Sequence, residues 1–435
     1  MYKISLMLTV ALGALVTGLF QSGANAGEHI SPSHSQSVKR FETPMMKAKL
    51  VEAMARYSEI IKNGGWPALK PDDMLRLGSE GPDVLALVAR LNLQYPNLAA
   101  ACGEVVALKT KKQLSKTSFF ASQDDRAPCL FDSALQRHVE TFQTLHGLSA
   151  DGVVGPLTLS ELNVPATERV KQIALNIQRM TSFEEFGFDK YVLVNIPEFV
   201  LRVVEAQEVR LEKKVVVGRP AWSTPSFTDY IETFIVNPDW RIPLSIATQE
   251  IAPKVANNPD YLKEQNIVIR KNSYVDDEMV DPATINWNEI KPYQFDHFMV
   301  RLPGEDNPLG EVKFLFPNKH AVYVHDTPAE QWFDVDHRAA SHGCIRLEEP
   351  FSLAEVLTSE LPDSLGFADI QKARSLNEAR EFVLENPIPV HLVYWTSWAE
   401  DEYLVHFRRD LYEKDAEEYQ AMVDTLQYTT QTTAL

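Results

Sequence analysis

The spacing of apolar residues changes once along this chain, near residue 189, and this change constrains the fold more than any other feature. From 43 to 181 apolar residues recur every three or four positions, as on the buried face of a helix. After 189 they form short β-rich runs separated by turn residues, which is typical of strands. We therefore predict a multidomain α+β protein that is helical first and mostly β afterwards.

Length and charge limit the class of protein. The chain has 435 residues, of which 45% are hydrophobic, enough for two or three domains with real cores. Its 60 acidic residues outnumber 42 basic ones, which gives a formal net charge of -18. Such an excess of acidic residues disfavours binding to the phosphates of nucleic acids along the whole chain, and we therefore predict no nucleic-acid partner.

The amino terminus has the pattern of an export signal. Lys3 is the only charge before Glu28, an apolar run covers 4–20, and Ala24-Asn25-Ala26 is a small-x-small cleavage pattern. We predict a signal peptide over 1–26, cut after Ala26. The alternative is an uncleaved anchor helix, although the run is at the short limit for a membrane span. No other long apolar run follows, so we expect no membrane-spanning segment after cleavage.

The helical part divides into four predicted segments. We assign 27–42 to a flexible linker, 43–74 to an N-terminal helical scaffold, 75–163 to a small three-helix domain and 164–188 to a linking helix. Within the small domain, Asp83 is a candidate N-cap, a second helix starts near Asp132, and Gly147 is placed to end that helix.

The β-rich part is predicted to be one domain over 189–412. Its strands are interrupted by 244–310, a loop-rich segment with one helix and many aromatic residues, which argue against disorder. We interpret this insertion as a cap, or capping subdomain, over a site. Residues 413–435 are assigned to a C-terminal tail.

The chain has three cysteines, an odd count. Cys102 and Cys129 bracket an insertion and form a possible disulfide, the alternative being two buried reduced thiols. Cys344 would then be a free thiol in an exported protein, which suggests that the thiol has a chemical role.

The residues around Cys344 favour nucleophilic chemistry. His342 lies two positions before it and His325 nineteen before it, at the end of a predicted strand. An imidazole can accept the thiol proton or stabilise the thiolate. Gly343 allows a close approach of substrate, and its N–H together with that of Cys344 could face an oxyanion. Arg346 could hold a substrate carboxylate in a bidentate grip.

Two other interpretations of this cluster exist. A lone cysteine is most often a small buried hydrophobe. His325, His342 and Cys344 could also supply three zinc ligands, but the last two are too close together for the usual spacing of a zinc finger. We therefore predict a cysteine nucleophile, with no metal and no cofactor.

The motif Ser-His-Gly-Cys-Ile-Arg at 341–346, with His-Asp-Thr-Pro at 325–328, resembles the bacterial L,D-transpeptidases of peptidoglycan. The resemblance extends to the large periplasmic subgroup of that family: 244–310 resembles its capping subdomain, and 142–158 resembles a peptidoglycan-binding domain. The chain departs from the subgroup at Arg301-Leu302, where a Gln usually precedes the Pro-Gly of the cap. Further matching segments lie at 216–220, 224–225, 237–243, 303–304, 307–310 and 316–318.

The resemblance implies a mostly β catalytic domain, a periplasmic location, and peptidoglycan stem peptides and glycan as partners. It implies acyl transfer in two steps. The Cys344 thiolate attacks the carbonyl of the third stem residue, meso-diaminopimelate, and D-Ala leaves. The amine of a second stem then forms a 3→3 cross-link. His325 would be the base for the thiol and the acid for the leaving amine.

Supporting roles are also implied by the resemblance. The backbone carbonyl of Asp326 could orient the ring of His325. His342 would shape the loop or donate to substrate, and Ser341 would brace the turn. Tyr323 and Trp332 either line the cleft or are core aromatics.

Alternative functions fit the same residues. A hydrolase on this scaffold, such as an L,D-carboxypeptidase or an amide hydrolase, would use water as acyl acceptor. A catalytically silent wall-binding protein would use only the module at 75–163. An active thiol predicts that a carbapenem acylates Cys344. The oligomeric state stays open.

Overall fold

The computed structural model describes residues 40–96, 129–184, 187–271, 278–359, 366–376 and 379–432. The predicted signal peptide, nearly all of the predicted linker and Cys102 lie outside these residues. The chain divides into two compact units, one of 1–185 with 396–435 and one of 186–395. The second unit therefore stops at Trp395, whereas the predicted catalytic domain extends to 412.

The first unit is mainly helical. Helices α1 to α5 span Thr43–Lys62, Pro82–Gln94, Ser133–Leu145, Pro156–Leu162 and Ala166–Glu184. Later residues of the same unit form two antiparallel strands, Ser397–Ala399 and Val405–Phe407, and the helix Asp415–Thr432.

Helices α2, α3 and α4 share one core and form the predicted three-helix domain. Asp132 caps α3 by accepting from the N–H groups of Ala134 and Leu135, and Gly147 follows that helix at φ +65°. The expectation for Asp83 is wrong: Gly81 is the N-cap of α2, and Asp83 lies in its first turn, where its charge complements the helix dipole. The shared core includes Val84, Leu87, Leu135, Val139, Phe142 and Leu162.

The second unit is built on a closed sheet. The strands β1 to β12 are Lys190–Asn195, Val200–Glu205, Glu208–Gly218, Phe227–Val236, Trp240–Arg241, Ile267–Lys271, His297–Arg301, Val312–Leu315, Val324–His325, Ala339–Ser341, Ile345–Leu347 and Arg380–Val393. Around the closed sheet the strand order is β3-β11-β9-β8-β4-β12-β1-β2, and β2 pairs with β3 to complete the ring. The carboxyl end of β3 also pairs with β10. Closure leaves the ring without a free edge and fixes strand register on both sides of each strand.

The insertion at 244–310 has a hydrophobic core of its own. Strands β6 and β7 of the insertion form an antiparallel sheet with β5, which lies just before it, whereas the sequence had suggested only loops and one helix. Ile251, Val255, Ile269 and Met299 are buried against one another, with Trp240 packed at their margin. The helical segments of the cap are Leu244–Ile246, a π-helical turn Ala247–Ile251, Ala252–Asn257 and Tyr261–Glu264.

The remaining regular elements of this unit are two α-helices and several short 3₁₀ segments. The α-helices are Pro350–Thr358 and Phe367–Arg374, and short 3₁₀ segments are Ile196–Glu198, Pro220–Trp222, Pro282–Thr284, Trp287–Glu289 and Glu330–Asp334. Over the described part of the chain, none of the helices combines the length and apolar character that a membrane crossing requires.

Candidate active site

Two neighbouring strands bring the predicted catalytic residues together. Strand β9 pairs in parallel with β11, and His325 is the register partner of Arg346. Side chains of register partners lie on the same face of a sheet, as do those two positions apart on one strand. Tyr323 precedes His325 by two residues, and their ring centroids are 5.5 Å apart. Cys344, two residues before Arg346, enters the same surface.

The thiol of Cys344 is half-buried and free. Its Sγ lies 3.7 Å from the carbonyl oxygen of Ala321. Burial raises the pKa of the Cys344 thiol, while the backbone N–H and the hydroxyl of Tyr323 and the charge of Arg346 oppose that rise. The resting thiol is therefore mostly protonated at neutral pH, and three groups are placed to stabilise the thiolate when it forms.

The segment before β9 is held by one side chain. Asn318 donates through Nδ2 to the carbonyls of Phe316 and Val322, and its Oδ1 accepts from the N–H groups of His320 and Val322. Ala321 adopts φ +53°, a left-handed conformation that is unfavourable for a residue with a Cβ. The four bonds of Asn318 hold this turn, which aims the Ala321 carbonyl at the sulfur.

His325 is buried and oriented by its neighbour. Its Nδ1 lies 2.5 Å from the backbone carbonyl oxygen of Asp326, the contact that we predicted. Because a carbonyl only accepts, Nδ1 carries the proton, and Nε2 keeps its lone pair. Burial lowers the pKa of His325 to about 3, and the charges of Arg346 and Lys313 act in the same direction. The imidazole is therefore a neutral base at neutral pH.

The thiol and this imidazole do not form a resting ion pair. Among the described residues, the sulfur contacts Ala321 and Tyr323, and its hydrogen bonds do not include the His325 ring. A neutral imidazole beside a protonated thiol fits the first of the two possibilities that we considered, proton acceptance during attack. Catalytic hydrogen bonds often tighten only when substrate is bound.

In the resting structure the N–H of Gly343 is engaged within its own turn, so that its role toward an oxyanion stays a prediction. That N–H donates to Ser341 Oγ at 3.1 Å, and Ser341 Oγ in turn donates to the carbonyl of Cys344. Ser341 thus closes the turn internally, as expected for a bracing residue. Gly343 instead supplies φ +113°, which residues with a side chain rarely adopt. The N–H of Cys344 has no acceptor within the described residues.

A buried threonine ties this turn to β3. Thr224 Oγ1 accepts from the N–H of Gly218 at 2.9 Å and donates to the carbonyl of Gly343 at 2.8 Å. A Cβ on Gly218 would lie 2.0 Å from the carbonyl oxygen of Trp222 and 3.1 Å from the Cα of Gly343. Only glycine allows the three backbone segments to meet this closely.

The carboxylate of Asp326 organises the loop on the other side of His325. It accepts from the N–H groups of Glu311 and Thr327 at 2.8 and 2.7 Å. Burial raises the pKa of this carboxyl group, and the two N–H donors oppose the rise. Gly310, at φ +58°, packs so closely that a Cβ there would lie 2.2 Å from Asp326 Oδ2. Asp326 is therefore fixed at both its carbonyl and its carboxylate.

Tyr323 connects Cys344 to the cap sheet. Its hydroxyl interacts with the sulfur of Cys344 and with Trp240, and burial raises the pKa of the phenol well above its usual value. Trp240 begins the cap sheet and packs against the cap core. Sequence analysis placed Trp240 within the matching segment 237–243 but did not identify it as a site residue.

His342 lies at the exposed rim of the site. Arg219 Nη2 donates to its Nε2 at 3.1 Å, and the ring of Trp222 lies 4.8 Å from the imidazole. Arg219 also stacks on Trp222, with 3.7 Å between the guanidinium carbon and the ring centroid. Sequence reasoning missed both residues, although they lie in and beside the segment 216–220.

Two other predicted residues are only partly accounted for. Trp332 lies on the 3₁₀ segment after β9, 37% exposed, and the described contacts do not join it to Cys344 or His325. Its place in the cleft stays a prediction. Cys129 is disulfide-bonded, but Cys102 lies outside the described residues, so that their pairing also stays a prediction. Within the described residues, no three His, Cys, Asp or Glu side chains are grouped to hold a metal ion.

Sequence comparisons agree with this geometry. Residues 189–363 match the L,D-transpeptidase catalytic domain, and 108–162 match the family described as "Putative peptidoglycan binding domain". A Haemophilus influenzae protein named "Putative L,D-transpeptidase" is 32% identical over 250 residues, which are 56% of this chain and 48% of that protein. The chain thus aligns with about half the length of this curated relative.

Solved structures of similar proteins include three L,D-transpeptidases. The Mycobacterium smegmatis enzyme is 14% identical over 47% of this chain and 58% of its own, at TM-score 0.20. L,D-transpeptidase 3 of Mycobacterium tuberculosis is 12% identical over 47% and 61%, at 0.22. The Xylanimonas cellulosilytica enzyme is 15% identical over 74% and 99%, at 0.18. Superpositions this poor carry no argument about the present chain.

The domain match and the cluster around Cys344 concern the same stretch of chain. The matched segment contains β1 to β11 and every predicted catalytic residue. The chain therefore contains a segment, 189–363, that matches the L,D-transpeptidase catalytic domain, and in the same polypeptide a segment, 108–162, that matches the family described as "Putative peptidoglycan binding domain".

Proposed function

We propose that this protein is a peptidoglycan L,D-transpeptidase that forms 3→3 cross-links, with Cys344 as nucleophile and His325 as base and acid. The observation that carries the proposal is a free thiol on the same sheet surface as a neutral, oriented imidazole within a matched catalytic domain. The large-subgroup resemblance and the cap over 244–310 support a periplasmic enzyme acting on stem peptides of the cell wall.

In the first step the thiol proton moves to Nε2 of His325 as the sulfur attacks the carbonyl carbon of the third stem residue. The carbon–nitrogen bond to D-Ala then breaks, and the imidazolium returns its proton to the departing amine. The product is a thioester on Cys344. Because burial lowers the pKa of His325, its protonated form is a strong acid and gives up that proton readily.

In the second step the amine of another stem attacks the thioester. The amine loses a proton to His325, the sulfur leaves as the thiolate, and the imidazolium reprotonates it. The free N–H of Cys344 and the hydroxyl of Tyr323 are the donors available to the developing oxyanion and to the leaving sulfur.

Arg346 supplies the positive charge of the site. Its side chain is half-buried next to Cys344 and, among the described residues, has no carboxylate within ion-pair distance. We assign it to the terminal carboxylate of D-Ala, which a planar guanidinium can bind through two hydrogen bonds. The cap would limit access of water to the thioester, which favours transfer over hydrolysis.

Product analysis tests this function. We expect the full chain, incubated with a disaccharide-tetrapeptide, to release D-Ala and to form a cross-linked dimer visible by mass spectrometry. Cys344→Ala should abolish both products because no thioester can form. As a control, Ser375→Ala removes an exposed hydroxyl that donates to its own helix, and both products should persist.

The other outcomes identify the alternatives. Monomeric tripeptide as sole product would show that water is the acceptor, and the enzyme would then be a carboxypeptidase. Unchanged substrate, together with no carbapenem adduct on the folded protein, would contradict any enzymatic role and leave only wall binding.

A further inference from the structure

The positively charged side chain of Arg219 is held in one orientation at the rim of the cleft. Its guanidinium lies flat over Trp222 at 3.7 Å and donates to His342 Nε2 at 3.1 Å. Among the residues that the structure describes, no Asp or Glu lies within ion-pair distance of it. Trp222 is 47% exposed, so that the stack faces solvent rather than filling the core.

Both contacts of Arg219 leave its charge unneutralised. An indole is uncharged. His342 accepts at Nε2, so its proton is on Nδ1, and burial together with the charges of Arg219 and Arg346 lowers the pKa of this imidazole. An exposed arginine ordinarily keeps many rotamers, whereas this one is held by two side chains. Such preorganisation reduces the entropic cost of binding a planar anion.

The backbone fixes this cation relative to the nucleophile. Arg219 directly follows β3, and its N–H donates to the carbonyl of Ser341 at 3.1 Å. His342, its side-chain partner, is two residues from Cys344. The guanidinium therefore belongs to the rim on the His342 side of the sulfur, whereas Arg346 lies beyond the sulfur on β11.

A negatively charged side chain of the cap acts electrostatically on His342. Glu250 lies on the π-helical turn Ala247–Ile251 and is the carboxylate whose charge favours protonation of His342. A rim with a guanidinium on the sheet and a carboxylate on the cap is complementary to a ligand that carries both charges. A simple anion would meet repulsion from Glu250.

We propose that Arg219 forms a subsite for the carboxylate of a zwitterionic amino-acid group on the substrate, a ligand that the negative charge of Glu250 also favours. This inference rests on the proposed function, in which the acyl donor carries a diaminopimelyl residue. The charged end of that side chain is the zwitterion, and the subsite would select stems in which its carboxylate is free over stems in which it is amidated.

Binding to the inactive full chain tests the subsite without turnover. In the Cys344→Ala background, isothermal titration should show that a tetrapeptide with a free side-chain carboxylate binds about tenfold more tightly than its amide. Adding Arg219→Gln should bring the two dissociation constants close together, because the carboxylate loses its partner. Arg219→Lys keeps the charge without the planar stack and should give an intermediate ratio.

A matched control is available on the same strand. Arg210 of β3 is exposed and pairs with Glu205 and Glu208, away from Cys344. Arg210→Gln should keep the tenfold ratio. If Arg219→Gln disturbs folding, Trp222→Leu provides a second variant, which frees the guanidinium and should reduce the ratio.

The proposal is overturned if acid and amide bind equally to the Cys344→Ala protein, if neither binds, or if the ratio survives Arg219→Gln. Failure of the proposed function is distinguishable from failure of the subsite. It would appear as an absence of D-Ala release by the protein that retains Cys344. A tenfold ratio without D-Ala release would retain the subsite and remove the transferase.

Discussion

The chemistry of single residues at this site is set by burial more than by charge. Burial raises the pKa of the Cys344 thiol and lowers the pKa of the His325 imidazole, so both are neutral at rest. This neutral pair requires stabilising groups only when a negative charge develops on the sulfur. Tyr323 and Arg346 supply this stabilisation, and both interact with Cys344 on the same face of the sheet.

Tyr323→Phe tests this arrangement. The variant removes the hydroxyl that interacts with the sulfur, so we expect the pKa of Cys344 to rise further and the rate of iodoacetamide alkylation at pH 8 to fall about tenfold. Alkylation should accelerate with rising pH in both proteins, with a higher midpoint in the variant.

Tyr230→Phe is the control for this experiment. Tyr230 is 41% exposed on β4 and packs edge-on against Phe188. Its loss should leave alkylation unchanged. An unaltered midpoint in Tyr323→Phe would show that the hydroxyl does not stabilise the thiolate.

At the scale of elements, the turn 341–344 depends on its attachment to β3. Thr224 joins Gly218 of that strand to Gly343 through one buried hydroxyl. Ser341 closes the same turn from within. The nucleophile is therefore positioned by hydrogen bonds between segments that are more than a hundred residues apart in sequence.

Thr224→Val should separate the turn from β3. The substitution keeps the shape but leaves a buried N–H and a buried carbonyl without their partner, which costs about 1–3 kcal/mol in the free energy of unfolding. We expect D-Ala release to fall more than stability alone explains, because Cys344 loses its support. Urea denaturation and product assays measure the two effects.

Thr358→Val is the matched comparison, since Thr358 is also buried but donates to the carbonyl of Ala354 within its own helix. It should lower stability slightly and leave the product yield per folded molecule unchanged. Equal loss of activity in both variants would argue against a specific role for Thr224.

The whole molecule carries buried neutral histidines in both compact units. Burial lowers the pKa of His146 in the helical unit, of His325 to about 3 and of His391 to about 4 in the β-rich unit. An unfolded chain takes up protons near pH 6.5, whereas these folded sites do not, so folding stability is complete above that pH and decreases as pH falls toward 3 or 4.

His391→Gln tests this pH dependence. From pH 6.5 to pH 5, His391 alone should remove about 2 kcal/mol of stability. The urea midpoint of the variant should therefore decline less over this range than that of the unaltered protein. His337→Gln, at an exposed site, should follow the unaltered protein. Parallel curves for all three proteins would contradict the assignment.

Local sequence patterns determined which elements form and which residues carry the chemistry. The β-rich runs after residue 189 indicated strands of the closed sheet, as at β2 and β4, because β-branched and aromatic residues favour a pleated, partly buried surface. The motif at 341–346 identified Cys344, and its partner segment identified His325 and the Asp326 carbonyl, because those contacts join residues that are adjacent in sequence or on one strand. The cap strands β6 and β7 were not predicted, since each is short and pairs only with strands that are distant along the chain.

Tertiary structure alone decided which groups surround the sulfur. The acceptor that the Gly343 N–H meets depends on the rotamer of Ser341, and the contact of Tyr323 with Trp240 depends on how the cap sheet folds back. Arg219 meets His342 across 123 positions of the chain. Spacing cannot encode such encounters, because they follow from the closure of the sheet and from burial, and burial also decides that thiol and imidazole rest without charge.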